Sequence, residues 1–296
     1  MDAKLTRKKI NMWPFLFIGP HLAIFSVFFI FPFFFGIYIS FTRWNFFGTP
    51  EFVGWMNYQT ILFDNASTFY RQFWTGLGNT FTFVLLTVPF AIAVPLLLAC
   101  LLTTKTWFSK LFQALFYMPS LFAVSAVMII WSFIFSVTHG PLSQYLGITT
   151  HMLSNQPQAW ISLVLVTIWW GVGGNMIIYM AAISNVSKDI LESASLDGAG
   201  VMKKFFYITL PSIKYQLLFT TVMTTIAQFN VFGQPLMLTN GGPNQSTHVL
   251  LMYIQSNAFH NTGPITGIAA AMAVMLGICI MAVSLVQFFL MRDRRD

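Results

Sequence analysis

Charge is what this chain lacks. Only 8 % of its 296 residues are Asp, Glu, Lys or Arg, against roughly a quarter in an ordinary soluble domain. A water-soluble fold of this size could not cover its surface with so few ions. With 56 % of the residues apolar, the composition is that of a polytopic, all-α membrane protein. Cysteine is scarce as well. Cys100 and Cys279 both sit inside apolar runs and read as free thiols packed in helices.

Several kinds of chemistry are missing. No Gly-x-x-x-x-Gly-Lys-Ser/Thr phosphate loop occurs, so nucleotide is not bound in that manner. There is no His-Glu-x-x-His and no Cys/His pair at metal spacing, so no metal and no other cofactor is expected. No Asp, Glu, Lys or Arg lies inside a long apolar run. Proton- and sodium-coupled carriers need such a group, or an unwound site, near the midplane. His21 is the one ionisable residue within a predicted span, and a lone His there reads as a packed neutral ring. His139, His151, His248 and His260 fall in or beside external loops. The chain is therefore not read as an enzyme, and uphill transport would draw its energy from a partner. A stand-alone channel or secondary carrier for a small polar solute is the rival reading. It would need gating or coupling residues within the spans, and these are not evident.

What is present is hydrophobic length. A helix crossing the bilayer core takes about 20 apolar residues. Six segments reach this, near 14–41, 79–102, 111–137, 160–184, 215–238 and 265–291. Thirteen of the fifteen Lys and Arg residues fall on one side of such a bundle and two on the other. The positive-inside rule then makes both termini cytoplasmic. The predicted organisation is a cytoplasmic tail (1–13), a six-helix permease domain (14–291) with a cytoplasmic loop at 185–214, and a cytoplasmic tail (292–296). The net charge of +7 thus reflects membrane topology, not nucleic-acid binding. Trp13 and Trp107 sit at predicted inner edges and Trp44 and Trp160 at outer ones, as aromatic belts do. The basic N-terminal run begins like a signal peptide. The apolar stretch behind it is too long and lacks a small-residue cleavage site, so an uncleaved first span is expected. The outer loop Thr42–Gly78 carries aromatics with balanced charge and reads as a small external cap. Pro20, Pro32, Pro89, Pro95 and Pro235 should kink their spans, with the freed carbonyls satisfied by protein or by a water-lined cavity.

One stretch stands apart. Glu192–Pro211 is charged and helix-compatible, between long apolar segments. Asp189 can cap a helix there, with Glu192 three residues later as in a capping box. Ser193, Ala194, Ser195, Ala199 and Gly200 let another protein approach closely, while Gly198 and Gly200 can bend the chain. An ordinary amphipathic juxtamembrane helix remains the plain alternative.

Glu192-Ser-Ala-x-x-Asp197-Gly-Ala199, eight further residues, then Ile208-x-Leu-Pro211 resembles the EAA loop of bacterial ABC importer permeases. Ser193 departs from the usual Ala, small for small. Phe116-Tyr-Met-Pro119, Trp131 and Gly140-Pro-Leu-Ser-Gln-Tyr-Leu146 are similar to the third-span region of maltose-type sugar permeases. Leu238-Thr-Asn-Gly-Gly-Pro243, with Thr247 and Tyr253, is similar to that group's loop between the last two spans. The resemblance implies a hetero-oligomer: a second permease subunit, a cytoplasmic ATPase dimer, an extracytoplasmic solute-binding protein and a sugar cargo, in a bacterial cell membrane. It carries Glu192, Ala194, Asp197, Gly198, Ala199, Leu210 and Pro211 over as the ATPase-coupling positions. A sugar site needs polar groups and aromatic faces in a watery cavity. The candidates are Asn79, Trp131, Asn175, Tyr179, Gln228, Asn230 and Gln234. Each could equally serve helix–helix hydrogen bonding.

Overall fold

The computed structural model describes residues 13–45, 48–103, 108–259 and 265–291. The basic N-terminal run, Lys105, Trp107, His260 and the C-terminal arginines lie outside the described residues, as does the Trp13 side chain. The chain opens with α1 (Trp13–Phe25), a π-helical turn at Ser26–Ile30 and α2 (Phe31–Ser40). A small cap follows, with β1 (Thr42–Arg43) antiparallel to β2 (Glu51–Phe52) and then α3 (Met56–Leu62). Next come α4 (Thr68–Thr103), α5 (Ser109–Tyr117), α6 (Val124–Ile134), α7 (Pro141–Leu146) and α8 (Gln158–Ser184). The loop helices α9 (Lys188–Leu196), α10 (Val201–Lys204) and α11 (Leu210–Ser212) precede α12 (Lys214–Phe229) and α13 (Gly233–Leu238). The shorter helix α14 (Leu250–Phe259) and the last span α15 (Thr266–Met291) complete the fold.

The architecture is all-α, and among the described residues four helices are long and apolar enough to cross a membrane: Leu16–Ser40, Thr68–Thr103, Gln158–Ser184 and Thr266–Met291. The other two predicted spans are broken. In the third, Ser109–Leu121 and Val124–Ile134 meet at a 102° bend. Phe122 and Ala123 are extended there, just after the Met118–Leu121 turn that contains Pro119. The fifth is not one helix over 215–238. It stops at Phe229 and restarts at Gly233. Pro235 explains the break, because in a continuous helix its ring would collide with the carbonyl of Val231 and it has no N–H to donate. Asn230 and Gln234 therefore do not form a helical i, i+4 pair.

Prolines act differently elsewhere. Pro89 and Pro95 lie inside α4, which stays helical throughout. Pro32 and Pro211 each follow a π-helical turn by two residues. Phe31 donates to Ser26 O and Leu210 donates to Phe205 O, both five residues back. A proline in the next position cannot continue the i−4 ladder, and the wider turn accommodates its ring.

The core is built on α4. Its one side packs with α3, α12, α14 and α15 through Phe73, Leu77, Val84, Phe229 and Met272. A second cluster, around Phe83, Val127, Met128, Leu163 and Val166, joins α4 to α6 and α8. The first span contributes little: only 6 % of its apolar window is buried against the rest of the chain. The segment after α2 is folded into a cap. Asn57 Nδ2 donates to the carbonyls of Ser40 and Thr42 at 2.8 and 2.9 Å, and the Tyr58 hydroxyl lies 2.7 Å from Ser40 Oγ. Arg43 faces Glu51 across the hairpin at 3.9 Å, an exposed pair contributing under about 1 kcal/mol.

Candidate functional site

The polar loop folds as a compact knob. α9 starts at Lys188 with Ser187 as its cap residue, and no side chain makes a capping bond. The expected capping box at Asp189 is thus not formed. Asp189 sits inside the first turn instead, where its carboxylate complements the helix dipole. The C-terminal end is the better specified one. Ala199 N–H donates to Ala194 O at 2.9 Å and Gly198 N–H to Ser195 O at 3.1 Å. Gly198 itself has φ +75°. This is a Schellman motif with glycine at its left-handed position, which closes the orphan carbonyls of α9 and turns the chain. Lys204 Nζ then reaches back to Ser195 Oγ at 2.7 Å, tying α10 to α9.

The surface of the knob is apolar where water would favour charge. Leu196 is 90 % exposed, Val201 81 % and Tyr207 81 %, with Ile190, Met202 and Phe206 also exposed. Glu192, Asp197 and Gly198 share this open surface, while Ala194, Ala199 and Leu210 are half-buried and Pro211 is exposed. Large apolar side chains exposed on a loop between spans suit a contact with protein or with the membrane surface.

The knob is wired to the helices that flank it. The Tyr179 hydroxyl on α8 meets Thr220 Oγ1 on α12 at 2.6 Å. Four residues further out, Asn175 Nδ2 donates to Thr224 Oγ1 at 3.0 Å and to Ala91 O at 3.1 Å. Ala91 O is the carbonyl that Pro95, four residues on, leaves without a donor. One amide therefore repairs the proline defect in α4 and joins α4, α8 and α12. Trp170, also on α8, does the same at the bend of the third span, where its Nε1 donates to Phe122 O at 3.2 Å.

Beside this node is a notch of about 200 Å³ between α8 and α12. Asn175, Gln228 and Thr224 supply its polar groups, and Gly171, Gly174 and Ala227 leave room beside them. The structure brings Asn175 and Gln228 together here. Tyr179 is fully buried and joins helices rather than facing the notch. Asn230 lies at the break after α12, exposed, with its Nδ2 on Ile226 O at 2.7 Å. Gln234 is across that break on α13. Trp131 packs edge-on to Trp169 at 5.4 Å, and its buried Nε1 has no partner among the described residues. Asn79 is farther out. Its Nδ2 holds the carbonyls of Gln245 and His248 at 2.8 and 3.0 Å. In that loop between α13 and α14 His248 lies against Tyr253, ring centroids 4.0 Å apart. Burial lowers the His248 pKa below the usual imidazole value, so the ring is neutral at pH 7. Thr220 and Thr224 were not singled out in the sequence, since apolar spans carry many threonines. The signal available was Pro95, whose freed carbonyl required a donor.

Residues 66–296 match the family described as "Binding-protein-dependent transport system inner membrane component". Over 285 residues the chain is 30 % identical to the probable ABC transporter permease protein YurN of Bacillus subtilis, covering 93 % of this chain and 94 % of that one. It is 30 % identical to the probable starch degradation products transport system permease protein AmyD of Thermoanaerobacterium thermosulfurigenes, covering 97 % and 96 %. Its fold is similar to a chain in the crystal structure of a bacterial ABC transporter involved in the import of the acidic polysaccharide alginate. The TM-score there is 0.77 at 20 % identity, with 96 % of this chain and 97 % of that chain covered. The spans, the knob and these matches agree: the chain belongs to the family of inner membrane components of binding-protein-dependent transport systems, and is an ABC transporter permease.

Proposed function

We propose that this chain is one of two membrane-spanning halves of an ATP-driven importer for a di- or oligosaccharide. The observation that carries the reading is the knob at 188–212, which exposes Leu196, Val201 and Tyr207 between two spans. Its occupant would be a cytoplasmic ATPase, acting as a dimer, with both termini of this chain on the same side as the knob. A second permease would complete the pore, and an extracytoplasmic binding protein would deliver cargo to the external loops. Lipid and the partner permease would cover the exposed first span. Starch degradation products and alginate, named for the relatives, support a glycan as cargo.

Mechanically, closure of the ATPases would push on the knob. α8 runs into it and α12 runs out of it, side by side and cross-linked by Tyr179–Thr220 and Asn175–Thr224. They would therefore move as one body, carrying Gln228 and the notch with them. The test is a complex purified on this chain and reconstituted. A second permease and an ATPase should accompany it, and cargo with binding protein should stimulate ATP hydrolysis. Sugar transport by the isolated chain would overturn the reading.

The Asn230 side chain offers a finer test. It sits at the break where α12 hands over to α13, and its Oδ1 has no partner among the described residues. Asn230→Leu should lower uptake about tenfold, the worth of one lost hydrogen bond of about 1.4 kcal/mol, while the assembled complex still purifies. Unchanged uptake kinetics would remove Asn230 from the path.

A further inference from the structure

The outer end of α6 and the segment leading into α8 enclose a second cavity, of about 290 Å³. Ser132, Ser136, Thr138, His151 and Ser154 supply its polar wall, and the ring of Phe135 lies on its apolar side. Phe135 is only 6 % exposed and is backed by Trp131, ring centroids 5.2 Å apart. Ser136 Oγ and Thr138 Oγ1 lie 3.3 Å apart, and Thr138 Oγ1 is 2.8 Å from His139 Nδ1. The Ser132 and Ser154 hydroxyls and the His151 ring have no hydrogen-bond partner among the described residues. Three open donor–acceptor groups from two separate segments thus converge on one concavity.

No Asp, Glu, Lys or Arg lines it. A cavity without fixed charge selects against ions. Hydroxyls opposite an aromatic ring suit a ligand with hydroxyls at its edge and C–H groups on its face. The volume falls at the lower end of small-molecule sites, which run from about 300 to 1,000 Å³, so it holds one ring and not two. Ser162 Oγ holds Met152 O at 3.0 Å, which places the cavity at the outer end of α8. The notch begins only at Thr167 and reaches to Asn175. We propose that this cavity is an external subsite for a single neutral sugar ring, a station for one end of the glycan before it reaches the notch. The inference rests on the sugar-import reading and adds a second, outer position to it.

The test uses the complete transporter in right-side-out vesicles without ATP, carrying Ser154→Cys. Ser154 is exposed, whereas the native Cys100 and Cys279 lie half-buried within α4 and α15. A membrane-impermeant thiol reagent should label position 154. Neutral mono- and trisaccharides of glucose, galactose and arabinose serve as probes. At least one should slow labelling threefold or more, in a saturable manner. Adding Ser132→Leu, which fills the cavity, should remove the protection. His151→Leu, on the exposed segment, should weaken it should Ser132→Leu fail to assemble. If a sugar stimulates ATP hydrolysis by the same complex in a parallel assay with ATP and binding protein, yet none slows labelling, the outer subsite is wrong and the import reading stands. If no sugar does either, both fall together.

Discussion

Gly198→Asp should uncouple the transporter: uptake falls at least tenfold while the chain still inserts and its spans still pack. The reason is local. Gly198 has φ +75°, and an L residue held in that region costs about 1–2 kcal/mol, somewhat less for Asp. The Schellman closure by Ala199 and Gly198 N–H groups depends on that conformation. Losing it lets the end of α9 fray and re-aims Leu196, the most exposed apolar side chain of the knob. A new carboxylate next to Asp197 also puts two like charges at the contact. Glu192→Lys tests the same surface without touching the backbone, because Glu192 is exposed on α9 and its side chain makes no hydrogen bond or ion pair among the described residues. Both variants should extract normally and co-purify with less ATPase. If ATPase association and uptake both survive either change, the knob is not the coupling element.

How much of this was legible in the sequence depends on what each residue signals alone. The positions of the spans follow from hydrophobic length, because the bilayer imposes one dimension on any helix that crosses it. The knob was legible because polar and small residues are costly between apolar segments unless they have work to do. The breaks in the third and fifth spans were not. Phe122, Ala123, Val231 and Phe232 are as apolar as their neighbours, and an apolar run has the same hydropathy bent or straight. The sequence predicts a kink at both Pro235 and Pro95; the helix breaks before Pro235, whereas α4 stays helical through Pro95. The difference lies in tertiary repair. Asn175 supplies the donor that Ala91 O lacks, so α4 can tolerate its proline. Nothing in the one-dimensional pattern pairs residue 175 with residue 91. Candidate substrate residues suffer the same ambiguity: Asn79 and Tyr179 look identical in sequence to Gln228, yet their hydrogen bonds go to main chain and to Thr220.

The second large effect concerns stability and lies at Gly267, far from both the notch and the knob. Here the first residues of α15 pass beneath the cap formed by the β1–β2 hairpin and α3. Thr266 N–H donates to Trp44 O at 3.0 Å, and Asn57 Nδ2 holds Thr42 O from the other side. A Cβ on residue 267 would overlap the Thr42 carbonyl oxygen and stand 3.0 Å from Asn57 Nδ2. Neither group is the free end of a flexible chain. One is backbone, and the other is buried and bonded twice. Gly267→Ala must therefore push the hairpin off α15, breaking the Asn57 and Trp44 bonds that lock the first span to the last. Over-packing of this kind costs about 1–3 kcal/mol at ordinary core sites. Each buried polar group left unpaired adds about 1–3 kcal/mol. The expected result is a strongly lowered melting temperature in detergent, with yield of folded protein falling several-fold. Gly277→Ala is the matched control on the same helix, since a Cβ there meets nothing within 4 Å. It should be neutral or slightly stabilising, because alanine is the better helix former. Equal melting temperatures for the two variants would show that the cap does not clamp α15, and that the first and last spans are held together by their apolar contacts alone.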